Sequence, residues 1–130
     1  MNAGIDRIEL LLPFKAEYVS VARLTVSGIA NRIGFDIEVI EDIKVSVSEV
    51  CSKLVRTGSK TEKDYRVVFD VFENKLDISF WCEDKSLKCI FKDEDDGLGV
   101  SIMTALMDDV ELCTDSGHLL RMSKTLKGNK

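Results

Sequence analysis

The chain has 130 residues, 45% hydrophobic and 32% charged, with a single proline, a balance that suits one compact domain and excludes a disordered or low-complexity chain. Its formal net charge is −5 and its sequence pI about 4.9, so the long-range field repels nucleic acid and anionic membrane. Its apolar runs are too short to span a bilayer and its start, MNAGIDRIEL, lacks a signal-peptide core, which sets the expectation of a cytoplasmic protein.

In chain order, RIELLLP (Arg7 to Pro13) reads as a first strand closed by the proline. From Ala16 to Ile33 the apolar residues Val19, Ala22, Val26, Ile29, Ala30 and Ile33 recur at the helical period, and Gly34 supplies a stop. A second helix restarts at once: Asp36 is an N-cap, Phe35 and Ile40 are spaced for a hydrophobic staple, and Ile40, Ile43, Val47, Val50, Cys51 and Leu54 form its buried stripe. After the polar GSKTEKD the period changes to two. YRVVFDVF and LDISFWC are β-branched and aromatic, and the short ENK between them predicts a β-hairpin.

GLGVSIMTALMDDV predicts a third helix opened by glycines, with Val100, Met103, Leu106 and Met107 on one face. VELCT, the turn DSG and HLLRMSKTL form a closing hairpin. The order βααββαββ predicts one α/β domain over residues 1–130, a two-layer sandwich with a mixed, mostly antiparallel sheet covered on one face by three helices. No linker or internal repeat divides it. Cys51, Cys82, Cys89 and Cys113 are widely spaced and only one histidine is present, so buried reduced thiols are expected and no metal site.

Two motifs carry candidate chemistry. In SVSEVCSKLV, Glu49 and Lys53 stand one turn apart on the second helix, as a catalytic carboxylate with a partner or as an ordinary surface ion pair. Gly97 and Gly99 open the third helix, where unpaired N–H groups and the positive end of the dipole suit a phosphate, although glycines before a helix are more often only a turn.

The succession EDIKVSVSEVCSKLV, DGLGVSIMTALMDDVEL and SGHLLRMSKTL, together with the amino-terminal part, resembles the anti-sigma factor and serine-protein kinase family of RsbW and SpoIIAB, within the GHKL ATPases of Bergerat fold. The likeness covers nearly the whole chain. It implies a dimeric protein that binds Mg·ATP between helices and sheet, holds a sigma factor inactive and phosphorylates a serine of an anti-anti-sigma antagonist. Glu49 matches the family's acidic general base, and Gly97 to Gly99 match its phosphate loop. Arg23 matches a first-helix arginine that touches sigma factor and antagonist.

Three family positions are altered. Lys53 stands where the magnesium Asn belongs, and a protonated ammonium has no lone pair for a metal. Cys82 replaces the Asp that accepts the adenine amino group and Asp84 replaces the glycine two residues on; a lost charge-assisted hydrogen bond costs on the order of 1.5–3 kcal/mol. Between Cys89 and Gly97 only IFKDEDD remains of the lid, and its Asp93, Glu94, Asp95 and Asp96 repel phosphate. The expectation is a degenerate member, with no cofactor unless the pocket still takes Mg·ATP, that works by binding a sigma factor or an antagonist as a homodimer or with a relative. A working serine kinase, with Lys53 meeting the phosphates, and an inactive architectural half of a heterodimer are the alternatives. His118 is expected to be structural or exposed at the start of the last strand, and Trp81 to pack on the sheet or help fill the emptied pocket.

Overall fold

The computed structural model describes residues 5–88, 90–92, 97–113 and 117–127, the side chains of 97–99 excepted. Strand β1 (Asp6–Pro13) leads through a single 3₁₀ turn at Ala16–Tyr18 into helix α1 (Val19–Ile33), followed by α2 (Ile37–Thr57), β2 (Asp64–Val71), β3 (Lys75–Trp81), α3 (Gly97–Leu106), β4 (Asp109–Leu112) and β5 (Leu120–Thr125). The sheet order is β1-β2-β3-β5-β4, and each of the four pairings is antiparallel. The expected parallel component of a mixed sheet is therefore absent among the described residues. With β3 beside β5 and α3 between them in sequence, each neighbouring pair runs in opposite directions.

The α1–α2 corner is built by local chemistry. Gly34 takes φ 112°, a left-handed conformation that other residues rarely adopt, and its N–H bonds the Ala30 carbonyl at 3.1 Å. Phe35 N–H reaches the same carbonyl at 3.2 Å, and Asp36 Oδ1 then accepts from Val39 N–H at 3.0 Å to cap α2. Phe35 and Ile40 are both buried, as the staple requires.

Along the strands the side chains alternate between the two faces, with Val68, Ser79 and Ser123 buried on the face away from the helices. Tyr65, Val67, Phe69, Leu76, Ile78, Phe80, Leu120 and Met122 face the helices and meet Ile43, Val47, Val50 and Leu54 of α2 in one core. The opposite face carries Arg7, Glu9, Arg66, Asp70, Asp77 and Arg121, laced by ion pairs; Arg7 grips Asp70 with contacts of 2.7 and 3.1 Å. Two boundaries differ from the sequence pattern. Helix α3 ends at Leu106, because Asp109 already pairs with Ser123 in the sheet, and β5 begins at Leu120 rather than at His118; Asp115 and Ser116 of the predicted DSG turn lie outside the described residues. Among the described residues no helix is long and apolar enough to cross a membrane.

Candidate functional site

The acid-then-base pair of α2 faces α3 across the short connection that follows β3. Glu49, Lys53 and Arg56 line a cleft there with Ile90, Phe91, Val100 and Met103, and the space it encloses is about 10 Å³, room for about one water. The filling is apolar: Phe91 is 6% exposed, Leu87 3% and Met103 1%. Leu87, Ile90 and Phe91 recur at i, i+3 and i+4 across two 3₁₀ turns, Lys85–Leu87 and Ile90–Lys92. That spacing was the sequence signal that the segment after β3 folds into the core. Among the described residues no ion pair joins Glu49 to Lys53, and Lys53 is not free. An exposed i,i+4 pair stabilises by only about 0.2–0.5 kcal/mol.

Cys82 and Asp84 lie apart from that cleft. Together they line a separate hollow of about 380 Å³ with Arg66, Trp81 and Leu119. Burial pushes the Cys82 thiol up, and its Sγ donates to the Asp64 carbonyl at 3.8 Å, so it stands as a neutral donor. Asp84 has a structural task. Its Oδ2 accepts from the Ser59 hydroxyl at 2.6 Å and its Oδ1 from the Ser86 hydroxyl and N–H at 2.7 and 3.0 Å. The Ser59 hydroxyl, then Ser86, hold this carboxyl below its usual range. Ser59 in turn accepts from the N–H groups of Thr61 and Glu62 at 3.2 and 3.0 Å, so one carboxylate ties the α2–β2 loop to the end of β3.

Gly97 and Gly99 are the first and third residues of α3, while Asp93, Glu94, Asp95 and Asp96 lie outside the described residues. Trp81 does not fill the α2–α3 cleft. With Phe80 wholly in the core, the period of two turns Trp81 to the opposite face, where its Nε1 donates to Ser79 Oγ at 2.8 Å and Arg66 stacks 5.9 Å from its ring. His118 precedes β5 rather than beginning it. It is buried, edge-on to Trp81, with Nε2 3.5 Å from Glu111 Oε1. Cys51 is buried under α2, and burial pushes its thiol up to about 11, the state of an inert reduced cysteine.

Arg23 of α1 is brought to Glu49. Both line an open depression of about 410 Å³ with Glu41, Lys44, Val45 and Ser48. Arg23 is exposed, Leu24 beside it is 71% exposed, and the Ser48 hydroxyl has no hydrogen-bond partner. The depression therefore offers two cations, two carboxylates and a free hydroxyl above an apolar rim. Sequence reasoning singled out Arg23 and Glu49 separately but missed Lys44 and Ser48, whose spacing of four from each other and nearness to Glu49 on one helix face was the available signal.

The sequence also matches known proteins. The family described as histidine kinase-like ATPase domain covers residues 12–124. A serine-protein kinase RsbW of Bacillus velezensis is 33% identical over 100% of the chain and 92% of its own length. Proteins of the same name from Bacillus thuringiensis and Bacillus anthracis are each 32% identical over 98% of the chain and 89% of theirs.

Proposed function

The chain belongs to the histidine kinase-like ATPase domain family, and within it we propose a regulator that works by binding: an anti-sigma-factor-like protein that engages a sigma factor, an anti-anti-sigma antagonist or both, with nucleotide binding lost or impaired. The observation that carries this reading is the cleft. Between Glu49 and Lys53 on one side and Phe91, Val100 and Met103 on the other there is space of about 10 Å³, whereas pockets that hold a small molecule run to hundreds of Å³. The donor set argues the same way. Lys53 offers an ammonium where a cation needs a lone pair, and Cys82 donates where an adenine amino group needs an acceptor. These residues do not fit Mg·ATP.

Binding chemistry is retained on the other side of α2. The Arg23 depression presents the unpaired guanidinium, Lys44, Ser48 and Glu49 to an incoming polar segment, with exposed Leu24 and Val45 to bury against it. The partner class follows from the resemblance to RsbW and SpoIIAB. Assembly is with a second copy or with a relative, and the architectural half of a heterodimer is the same reading with the partner surface unused.

One observation favours the active-kinase alternative: Glu49 lines both the cleft and the Arg23 depression, the place a base needs if a partner's serine enters there. Titration with a fluorescent ATP analogue, with and without Mg²⁺, separates the two. No saturable signal at millimolar nucleotide is expected. Magnesium-dependent saturation, with label transfer from ATP to a co-purifying antagonist, would establish the kinase instead.

A further inference from the structure

The sheet face turned away from the helices is hollowed at one end. Across it the register sets Leu11 of β1 opposite Arg66 of β2, and Arg66 opposite Trp81 of β3. Trp81 is the single tryptophan of the chain. Its indole is held in place: Nε1 donates to Ser79 Oγ at 2.8 Å, the buried His118 ring meets it edge-on at 5.9 Å, and the Arg66 guanidinium lies 5.9 Å from its centre. Depressions of about 420 and 380 Å³ flank this pair, and both are lined by Arg66 and Trp81. Volumes of that order hold small ligands. Neither is the α2–α3 cleft, which lies on the helix side of the sheet and encloses about 10 Å³.

The two depressions differ in charge. The larger sets Glu62, Asp64 and Glu83 against Lys63 and Arg66, an excess of one negative charge. The smaller sets Arg66, Lys85 and Lys88 against Glu83 and Asp84, an excess of one positive charge in a chain of net charge −5. Asp84 is already used, its two oxygens accepting from Ser59 and Ser86. Among the described residues no ion pair engages Lys85 or Lys88, and Arg66 Nε has no hydrogen-bond partner. The groups left to meet a ligand in the smaller depression are therefore mainly donors.

Its floor is apolar and open. Leu119 is 2% exposed beneath it, and Gly117 borders the indole. At φ 106° Gly117 holds a backbone shape that other residues rarely adopt, and a Cβ on it would stand 3.3 Å from Trp81 Cζ3. With glycine there, no side chain at 117 covers that edge of the ring.

We propose that the smaller depression binds a small organic monoanion with a ring-sized apolar body, of the aromatic carboxylate class, its carboxylate at Lys85, Lys88 and Arg66 and its ring against Trp81 and Leu119. One excess positive charge matches a monoanion better than a dianion. The acidic neighbouring depression orients the ligand by repelling its carboxylate towards the lysines. Charge-assisted hydrogen bonds to ammonium and guanidinium groups hold the charged end, and offset or edge-on contact with the indole holds the ring. The site uses neither the Arg23 depression nor the cleft, so it stands or falls separately from the binding reading above.

Benzoate is the probe, followed on the full chain by ¹H–¹⁵N NMR, in which Trp81 gives one indole N–H signal. Saturable shifts of that signal and of the Lys85 and Lys88 amides are expected, with a Kd of about 1 mM. Benzyl alcohol, which has the ring without the charge, should bind about tenfold more weakly. Lys85→Glu and Lys88→Glu should each weaken benzoate about tenfold. Lys63→Glu makes the same change of net charge on the rim of the neighbouring depression and should alter the Kd by less than about threefold. No saturable shift, equal binding of benzyl alcohol, equal weakening by Lys63→Glu, or shifts centred on Phe91 and Met103 of the cleft would overturn the proposal.

Discussion

Arg23 stands exposed on α1 and makes no hydrogen bond or ion pair among the described residues, so truncating it should leave the fold intact and expose whatever it contributes to a partner. Arg23→Ala is expected to change unfolding free energy by less than about 0.5 kcal/mol and to weaken a sigma-factor or antagonist complex by about 2 kcal/mol, roughly thirtyfold in Kd. Calorimetric titration with the co-purifying partner measures it, and unchanged affinity would remove Arg23 from the surface. The substituted residues behave differently from one another. Lys53 and Cys82 each bring a donor to a position where the resemblance implies an acceptor, and that much could be read from residue type alone. What Asp84 does could not be read: its hydrogen-bond partner Ser59 lies 25 residues away, and only the folded loops bring the two together.

At the scale of elements, the Ser59–Asp84–Ser86 network fastens the α2–β2 loop to the end of β3, and its strength depends on the carboxylate being ionised. The folded-state pKa of Asp84 is lowered by those donors, so its stabilisation is fully present above the unfolded value of about 3.9 and is lost as pH falls through the folded value. Asp84→Asn should therefore be less stable than the wild type in urea at pH 7, with the gap closing below about pH 4. A gap that persists there would mean that packing, not charge, is what the substitution removes. The elements themselves were largely legible. Helices α1 and α2, the β2–β3 hairpin and the face of α3 follow from periods of 3.6 and 2 that the core enforces. The end of α3 was not, because pairing between Asp109 and Ser123, fourteen residues apart, decides where the helix yields to strand. For the site, Glu49 and Arg23 were visible one at a time; that α1 and α2 pack to place them in one depression is tertiary information.

At the scale of the whole molecule, one face of the sheet carries the helices and core while the other is held by ion pairs from Arg7 to Arg121. The net charge of −5 opposes self-association generally. A ligand that binds only the folded state raises stability with its concentration, by about 2.7 kcal/mol at a hundredfold excess over Kd. Because Phe91 and its neighbours occupy the cleft, millimolar Mg·ATP should leave the melting temperature of the wild-type chain unchanged, and a dose-dependent rise would show that the cleft opens.

The filler of that cleft, Phe91, is part of the polypeptide itself. Its supply is fixed at one per molecule and never fluctuates with metabolism. On the binding reading proposed above, such a regulator would be blind to the cell's energy charge, its output tracking how many copies of each competing partner are present.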